Sequence, residues 1–236
     1  MARAQKSGGM SRFYAILAVV AVAGIAIVGY QVASKGGTAA APVEVEGLDD
    51  QARLIEMAQG MVLGNPDAPV TIWEFGDFQC PSCRIWFQQV KNLIDVNYIQ
   101  TGKARFVYYD WPITQAHPNA FLAARSSRCA AEQDIYWEYH KSLFDNQAVW
   151  SNLGSPIGQF RSMAEALGAD GGDFEDCVRS EKYADIVTAQ MRLGQELGVG
   201  GTPTVLVSSG GGRAIRPGSQ DYAGISAVVE ELLGES

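Results

Sequence analysis

The chain has 236 residues, 47% of them hydrophobic, which is enough for one packed domain with an insertion and a short tail. Its net charge of −8 is uneven: Arg3, Lys6, Arg12 and Lys35 stand without an acid in the first 35 residues, leaving 14 of 18 basic side chains against all 26 acidic ones, a net of −12 for the rest. An acidic body without Lys or Arg clusters argues against a nucleic-acid partner, because phosphate binding needs such clusters.

Residues 1–12 read as a cytoplasmic basic tail. From Phe13 to Tyr30 run 18 residues without a charged or strongly polar side chain, so residues 13–33 are read as a single membrane-crossing helix. The preceding basic residues put its N-terminus in the cytoplasm, which makes the chain a single-pass protein of the cell membrane with its domain outside. The competing reading is a cleaved signal peptide with its site at Thr38-Ala39-Ala40-Ala41, but the apolar run is long for a signal and ends well before those alanines. Either reading exports the domain. Residues 34–47 have no apolar periodicity and read as a flexible stalk.

The domain begins near Leu48, with a short helix over Asp49 to Gln59, an edge strand at Met61 to Gly64 and a turn at Asn65 to Pro69. Val70 to Phe75 is a β-branched and aromatic run that reads as a buried strand. It passes through Gly76 and Asp77 into Cys80-Pro81-Ser82-Cys83, from which apolar residues recur at helical spacing to about Gln100. Thr101-Gly102-Lys103 stops that helix, and Ala104 to Asp110 is the next strand, joined to the first as a right-handed β-α-β unit. From 115 to 197 only helical stretches follow: Asn119–Glu132, Asp134–Asn146, Ser155–Leu167, Asp173–Arg179 and Lys182–Leu197. Ser155-Pro156 reads as a cap and first turn, and Gly168 and Gly198 as helix stops. The α/β pattern resumes in a strand at Thr204 to Ser208, a turn, a short edge strand around Ala214-Ile215 and a closing helix from Tyr222 to Leu233. Residues 48–114 and 198–236 thus form an α/β domain around an inserted all-helical subdomain, 115–197.

Two thiols at i and i+3 of a first helical turn lie on one face, where free N–H groups and the helix dipole favour a thiolate. Cys80 is the expected attacking sulfur and Cys83, one turn deeper, the resolving one. A zinc site completed by Cys129, Cys177, His117 or His140 is the alternative, weakened by the lack of a second short Cys or His spacing. In an oxidising compartment four cysteines favour a Cys129–Cys177 structural disulfide between two insert helices; buried free thiols and a second redox pair are the alternatives. Glu74, among Ile72, Trp73 and Phe75, is expected to be buried below the cysteines with a raised pKa and to handle a proton. His117 is read as structural and His140 as a satisfied core or groove residue.

Leu63-Gly64-Asn65-Pro66-Asp67-Ala68-Pro69-Val70-Thr71-Ile72, Glu74-Phe75 and Cys80-Pro81-Ser82-Cys83 together resemble the DsbA-like thiol-disulfide oxidoreductases. His117-Pro118, Ala123-Ala124, Cys129-Ala130 and Tyr136-Trp137-Glu138-Tyr139-His140 are similar to that family's helical insertion, and Gly201-Thr202-Pro203-Thr204 resembles its cis-proline loop. The resemblance implies a thioredoxin-like fold with an inserted all-helical subdomain, here preceded by a single N-terminal transmembrane helix. It also implies a Cys80–Cys83 redox disulfide, Glu74 as proton handler, and Thr202, Pro203, Pro81 and Ser82 against an extended substrate peptide. Reduced, unfolded exported proteins would be the clients and a quinone-coupled membrane oxidase of the DsbB or vitamin K epoxide reductase type the reoxidising partner, with neither metal nor other cofactor needed for the exchange. Strongly oxidising members carry His where this chain has Ser82, which leaves a reductase or isomerase, and a redox-inactive peptide-binding or chaperone module, as rival readings.

Overall fold

The computed structural model describes Tyr14, residues 40–210 and residues 212–234. The chain divides into two units, residues 1–37 and 38–236. Apart from Tyr14 the segment read as a membrane anchor lies outside the described residues, among which no helix is long and apolar enough to cross a membrane.

The second unit is built on a four-stranded sheet ordered β1-β3-β2-β4, with β1 Met61–Leu63, β2 Val70–Gly76, β3 Ala104–Asp110 and β4 Thr204–Ser209. The central pair β2 and β3 is parallel, and β1 and β4 add antiparallel on either side. Side-chain alternation divides the sheet into two apolar faces. Val70, Ile72, Phe106, Val205 and Val207 pack with Trp86, Phe87, Leu143 and Phe144 on one face, while Phe75 and Leu206 pack with Val199 on the other. Glu74 follows the Val70–Ile72 row and is therefore an acid on an apolar face.

Helix α1 (Gln51–Met57) is capped by the Asp50 carboxylate, which accepts from Arg53 N at 2.9 Å. Helix α2 starts as Pro81–Trp86 and continues through a π-helical segment Phe87–Lys91, a turn Asn92–Ile94 and a second π-helical segment Asp95–Ile99. The uniform helical spacing expected to Gln100 therefore fails: Leu93 is exposed, and Lys91 is turned inward to 2% exposure. A π turn spends an extra residue and rotates everything after it. Lys91 Nζ is held there by Asp95 at 2.7 Å and lies 4.5 Å from the Phe106 ring centre.

The insertion holds α3 Ala120–Ala131, α4 Tyr136–Asp145, α5 Gln147–Trp150, α6 Ile157–Ala166, α7 Gly171–Arg179 and α8 Ala184–Glu196, and α9 Tyr222–Gly234 ends the chain. The short α5 was not among the expected helices. Pro156, not Ser155, occupies the α6 cap, with no side-chain cap bond. Gly168 and Gly198 end their helices at φ +93° and +73°, the left-handed conformation a helix stop favours. The edge strand expected near Ala214 is one bridge, between Ile215 and Val207. The end of the stretch read as a stalk is docked: Val43 N donates to Thr188 Oγ1 at 3.1 Å and Val43 packs beside Phe121 and Val187.

Candidate active site

β2 delivers its last residues to the Cys-x-x-Cys turn, where Cys80 N donates to Asp77 O at 3.0 Å and Cys80 becomes the cap residue of α2. Its extended φ and ψ, −71° and 122°, set its sulfur at the open end of the helix, and Pro81 occupies the first helical position, where an N–H is not needed. Across the turn Thr202 and Pro203 are joined by a cis peptide bond, and the Cys80 thiol donates to the Thr202 carbonyl at 3.6 Å. Cys80 and Cys83 are free thiols, at 7% and 0% exposure. Ser82 and Pro203 share a groove of about 250 Å³ with Ile85, Trp86 and Gln220, whereas Pro81 lies exposed at the rim.

The two thiols are driven apart electrostatically. A hydrogen bond from Cys83 holds Cys80 down to about 5, against the effect of its burial, with help from the Cys83 and Ser82 backbone N–H groups. Burial pushes Cys83 well above the ordinary thiol range. Burial also lifts Glu74 to about 8, although Lys91 pulls it down, so at neutral pH the carboxyl keeps its proton. In the reduced protein thiolate absorbance near 240 nm is expected to rise with a midpoint near pH 5, and a midpoint above pH 8 would contradict the site as described.

Several residues that the sequence did not mark clamp this turn to the insertion. The buried Asp77 accepts from Gln79 N at 2.7 Å, from Ile113 N at 2.8 Å and contacts His117 Nδ1 at 2.6 Å. That contact raises His117 above its ordinary value. Gln79 accepts from Asn119 N at 2.8 Å, and Gln147 on α5 donates to the carbonyls of Phe78 and Cys80 at 2.7 and 3.0 Å. His140 is not satisfied as expected: it is buried among aromatic rings with neither ring nitrogen hydrogen-bonded. Cys129 on α3 and Cys177 on α7 are joined by a disulfide. Together with Glu132 they form a three-residue group of metal-ligand type, but the two sulfurs are bonded to each other and the group includes neither Cys80 nor Cys83.

Residues 56–231 match the thioredoxin family model. Disulfide bond formation protein D of Bacillus subtilis is 26% identical over 185 residues, 73% of this chain and 76% of that protein. The Na(+)/H(+) antiporter NhaA 1 of Mycolicibacterium gilvum is 35% identical over 161 residues, and the match spans 66% of this chain but only 24% of the antiporter. Oxidised BdbD of Bacillus subtilis superposes with a TM-score of 0.65 at 26% identity, covering 75% of this chain and 97% of that one. Wolbachia pipientis alpha-DsbA1, at 22% identity, shares the fold with a TM-score of 0.66 over 75% of this chain and 92% of that one.

Proposed function

This chain belongs to the thioredoxin family, among its DsbA-like thiol-disulfide oxidoreductases, and from that we propose that it introduces disulfides into exported proteins through Cys80-Pro81-Ser82-Cys83. A client thiolate attacks Cys80 of the Cys80–Cys83 disulfide, and the bonding electron pair leaves on Cys83, which takes a proton from Glu74. A second client thiolate then attacks the client sulfur of the mixed disulfide, and Cys80 departs as a thiolate. The client loses two electrons and the pair gains them. The Thr202-Pro203 loop faces Cys80 and the groove beside Ser82 holds the extended client.

The observation that carries this reading is the placement of the two thiols: Cys80 caps the open end of α2 beside the Thr202-Pro203 loop, and Cys83 is fully buried one turn deeper, which lowers the outer thiol and raises the inner one. With Cys80 at about 5 against an ordinary 9.0, ionisation stabilises the reduced protein fully above about pH 9, and that stabilisation fades as pH falls towards 5. At pH 7 about half remains, on the order of 3 kcal/mol, or about 60 mV in favour of the dithiol. The pair is therefore expected to be more oxidising than thioredoxin, at about −220 mV or higher when equilibrated with glutathione. A value at or below about −270 mV would assign the site to a reductase instead.

The same reading places the domain outside the cytoplasm, anchored by residues 13–33 and recharged by a quinone-coupled membrane oxidase of the DsbB or vitamin K epoxide reductase type. The apolar segment behind Arg3, Lys6 and Arg12 supports the anchor. The Cys129–Cys177 disulfide supports an oxidising compartment.

A further inference from the structure

Neither residue between the two cysteines carries a charge, since Pro81 and Ser82 are neutral, but a histidine is fastened beside their turn. His117, in the loop between β3 and α3, meets the Asp77 carboxylate through Nδ1 at 2.6 Å. Asp77 is 1% exposed and opens the redox turn: its carbonyl accepts from Cys80 N at 3.0 Å and its carboxylate from Gln79 N at 2.7 Å. A second link joins the same two segments, where Gln79 Oε1 accepts from Asn119 N at 2.8 Å. The loop is fixed in its turn, because Ile113 N donates to Asp77 and Ile113 O accepts from His117 N, both at 2.8 Å. The His117 side chain is 18% exposed, so its ring exchanges protons with water. The Asp77 bond raises His117 above its ordinary value against the effect of burial, and the Cys80 charge raises it further.

We propose that His117 is a positioning residue for charge at the redox turn, its imidazolium held by Asp77 so that positive charge stands beside the turn that carries the Cys80 thiolate. This rests on the redox reading above. When the Cys80–Cys83 bond takes two electrons from a client dithiol, the client keeps a disulfide, Cys80 is left as a thiolate and Cys83 takes one proton. His117 keeps both of its ring protons throughout, so it supplies charge and moves no proton. The thiolate exists only in the reduced state, so the cation favours that state and makes the disulfide more oxidising. A buried carboxylate alone would do the opposite. Bound to an imidazolium, Asp77 clamps the turn without repelling the thiolate. The support is present above about pH 5, where Cys80 is ionised, and is lost as pH rises through the His117 midpoint.

The other charges around the pair are bound elsewhere or do not follow the redox state. Asp110, at the end of β3, is held by Arg128 at 3.0 and 3.1 Å. Glu74 on β2 keeps its proton at neutral pH, raised by burial to about 8. Arg84 on α2 carries the same charge in both redox states. The Thr202-Pro203 loop and α5 bring no ionisable group.

The chain has two histidines, and burial drives His140 well below its ordinary value and keeps it neutral. His117 is therefore the ring followed when the full-length protein, in detergent, is titrated by NMR of the histidine Cε1 groups. Its midpoint is expected to lie higher in the reduced protein than in the oxidised one by about half a pH unit, a threefold change in ionisation constant, and about 1 M salt should narrow the gap. Such coupling is reciprocal. His117→Gln should accordingly raise the Cys80 midpoint, near 5 in the unmodified protein, by the same threefold. A histidine that only held the loop would change stability and leave both midpoints alone. Equal His117 midpoints in the two redox states overturn the proposal, as does a Cys80 midpoint that His117→Gln leaves in place. If that variant does not fold, the comparison of redox states decides alone. Oxidation of a reduced client by the unmodified protein is scored separately: its absence rejects the redox reading, whereas the two midpoints judge His117.

Discussion

Cys80→Ser is expected to lower oxidation of a reduced client to the uncatalysed rate. A serine oxygen forms no mixed disulfide, and without Cys80 the redox turn has no disulfide to give. Cys83 does not substitute for it. Its side chain is at 0% exposure and its thiol is pushed well above the ordinary range, so under about 1% is thiolate at pH 7, against about 99% for a thiol at 5. Run in reverse, reduction of a small test disulfide should fall by at least about a hundredfold in this variant from ionisation alone. Cys83→Ser behaves differently: given a client that carries a disulfide, Cys80 attacks one of its sulfurs and releases the other as a thiolate, and without Cys83 to attack Cys80 in turn the disulfide-linked complex should accumulate and be seen by mass spectrometry. Client oxidation that persists in Cys80→Ser would move the activity away from this turn and leave the groove as a peptide-binding surface. The Asp77, Gln79 and Gln147 contacts hold the turn from the backbone side, so the loss in Cys80→Ser is chemical and does not require a collapsed loop.

What the sequence made legible was mostly local. The run from Val70 to Gly76 announces a buried strand through its residue types, and alternation along it puts Glu74 on the row of Val70 and Ile72, so the order of residues is enough to mark a buried acid. The Cys-x-x-Cys at a strand-to-helix junction likewise carries its own address. The π turns in α2 leave no such mark, because an extra residue per turn preserves the apolar content and changes only which face the later residues take, exposing Leu93 and burying Lys91. The clamps on the turn are equally silent: Asp77 meets His117 and Gln79 meets Asn119 across 40 residues, and Gln147 reaches Cys80 across 67, in ordinary polar residue types. For His140 the aromatic surroundings were readable, but an unsatisfied imidazole depends on where the neighbouring polar groups point, and that is a tertiary property. Val43 shows the converse: one of two valines in a stretch without helical or strand period, it packs beside Phe121 and Val187.

Removing the Cys129–Cys177 bond is expected to cost about 4 kcal/mol. The two cysteines are 48 residues apart, and a cross-link over such a loop restricts the unfolded chain by about that much in the chain-entropy model. For a domain of this size the unfolding midpoint should fall by roughly 8–16 °C. The measurement is cleanest with Cys80 and Cys83 both changed to Ser, so that the redox pair cannot exchange with the freed thiols, comparing Cys129→Ser/Cys177→Ser with its parent in urea and by calorimetry. The bond ties α3 to α7, and α3 begins at Asn119, whose backbone N–H is held by Gln79 next to Cys80. Loosening the insertion therefore bears on the active-site turn as well as on global stability. With the redox pair restored, the Cys129→Ser/Cys177→Ser protein should expose Cys80 and Cys83 to alkylation through partial opening of the insertion, at temperatures where the sheet is still folded. A loss of 1 kcal/mol or less would mean that the helices hold their places by packing alone, through Phe174 and Val178 in the shared core. The disulfide would then be a consequence of the compartment and not a support of the fold.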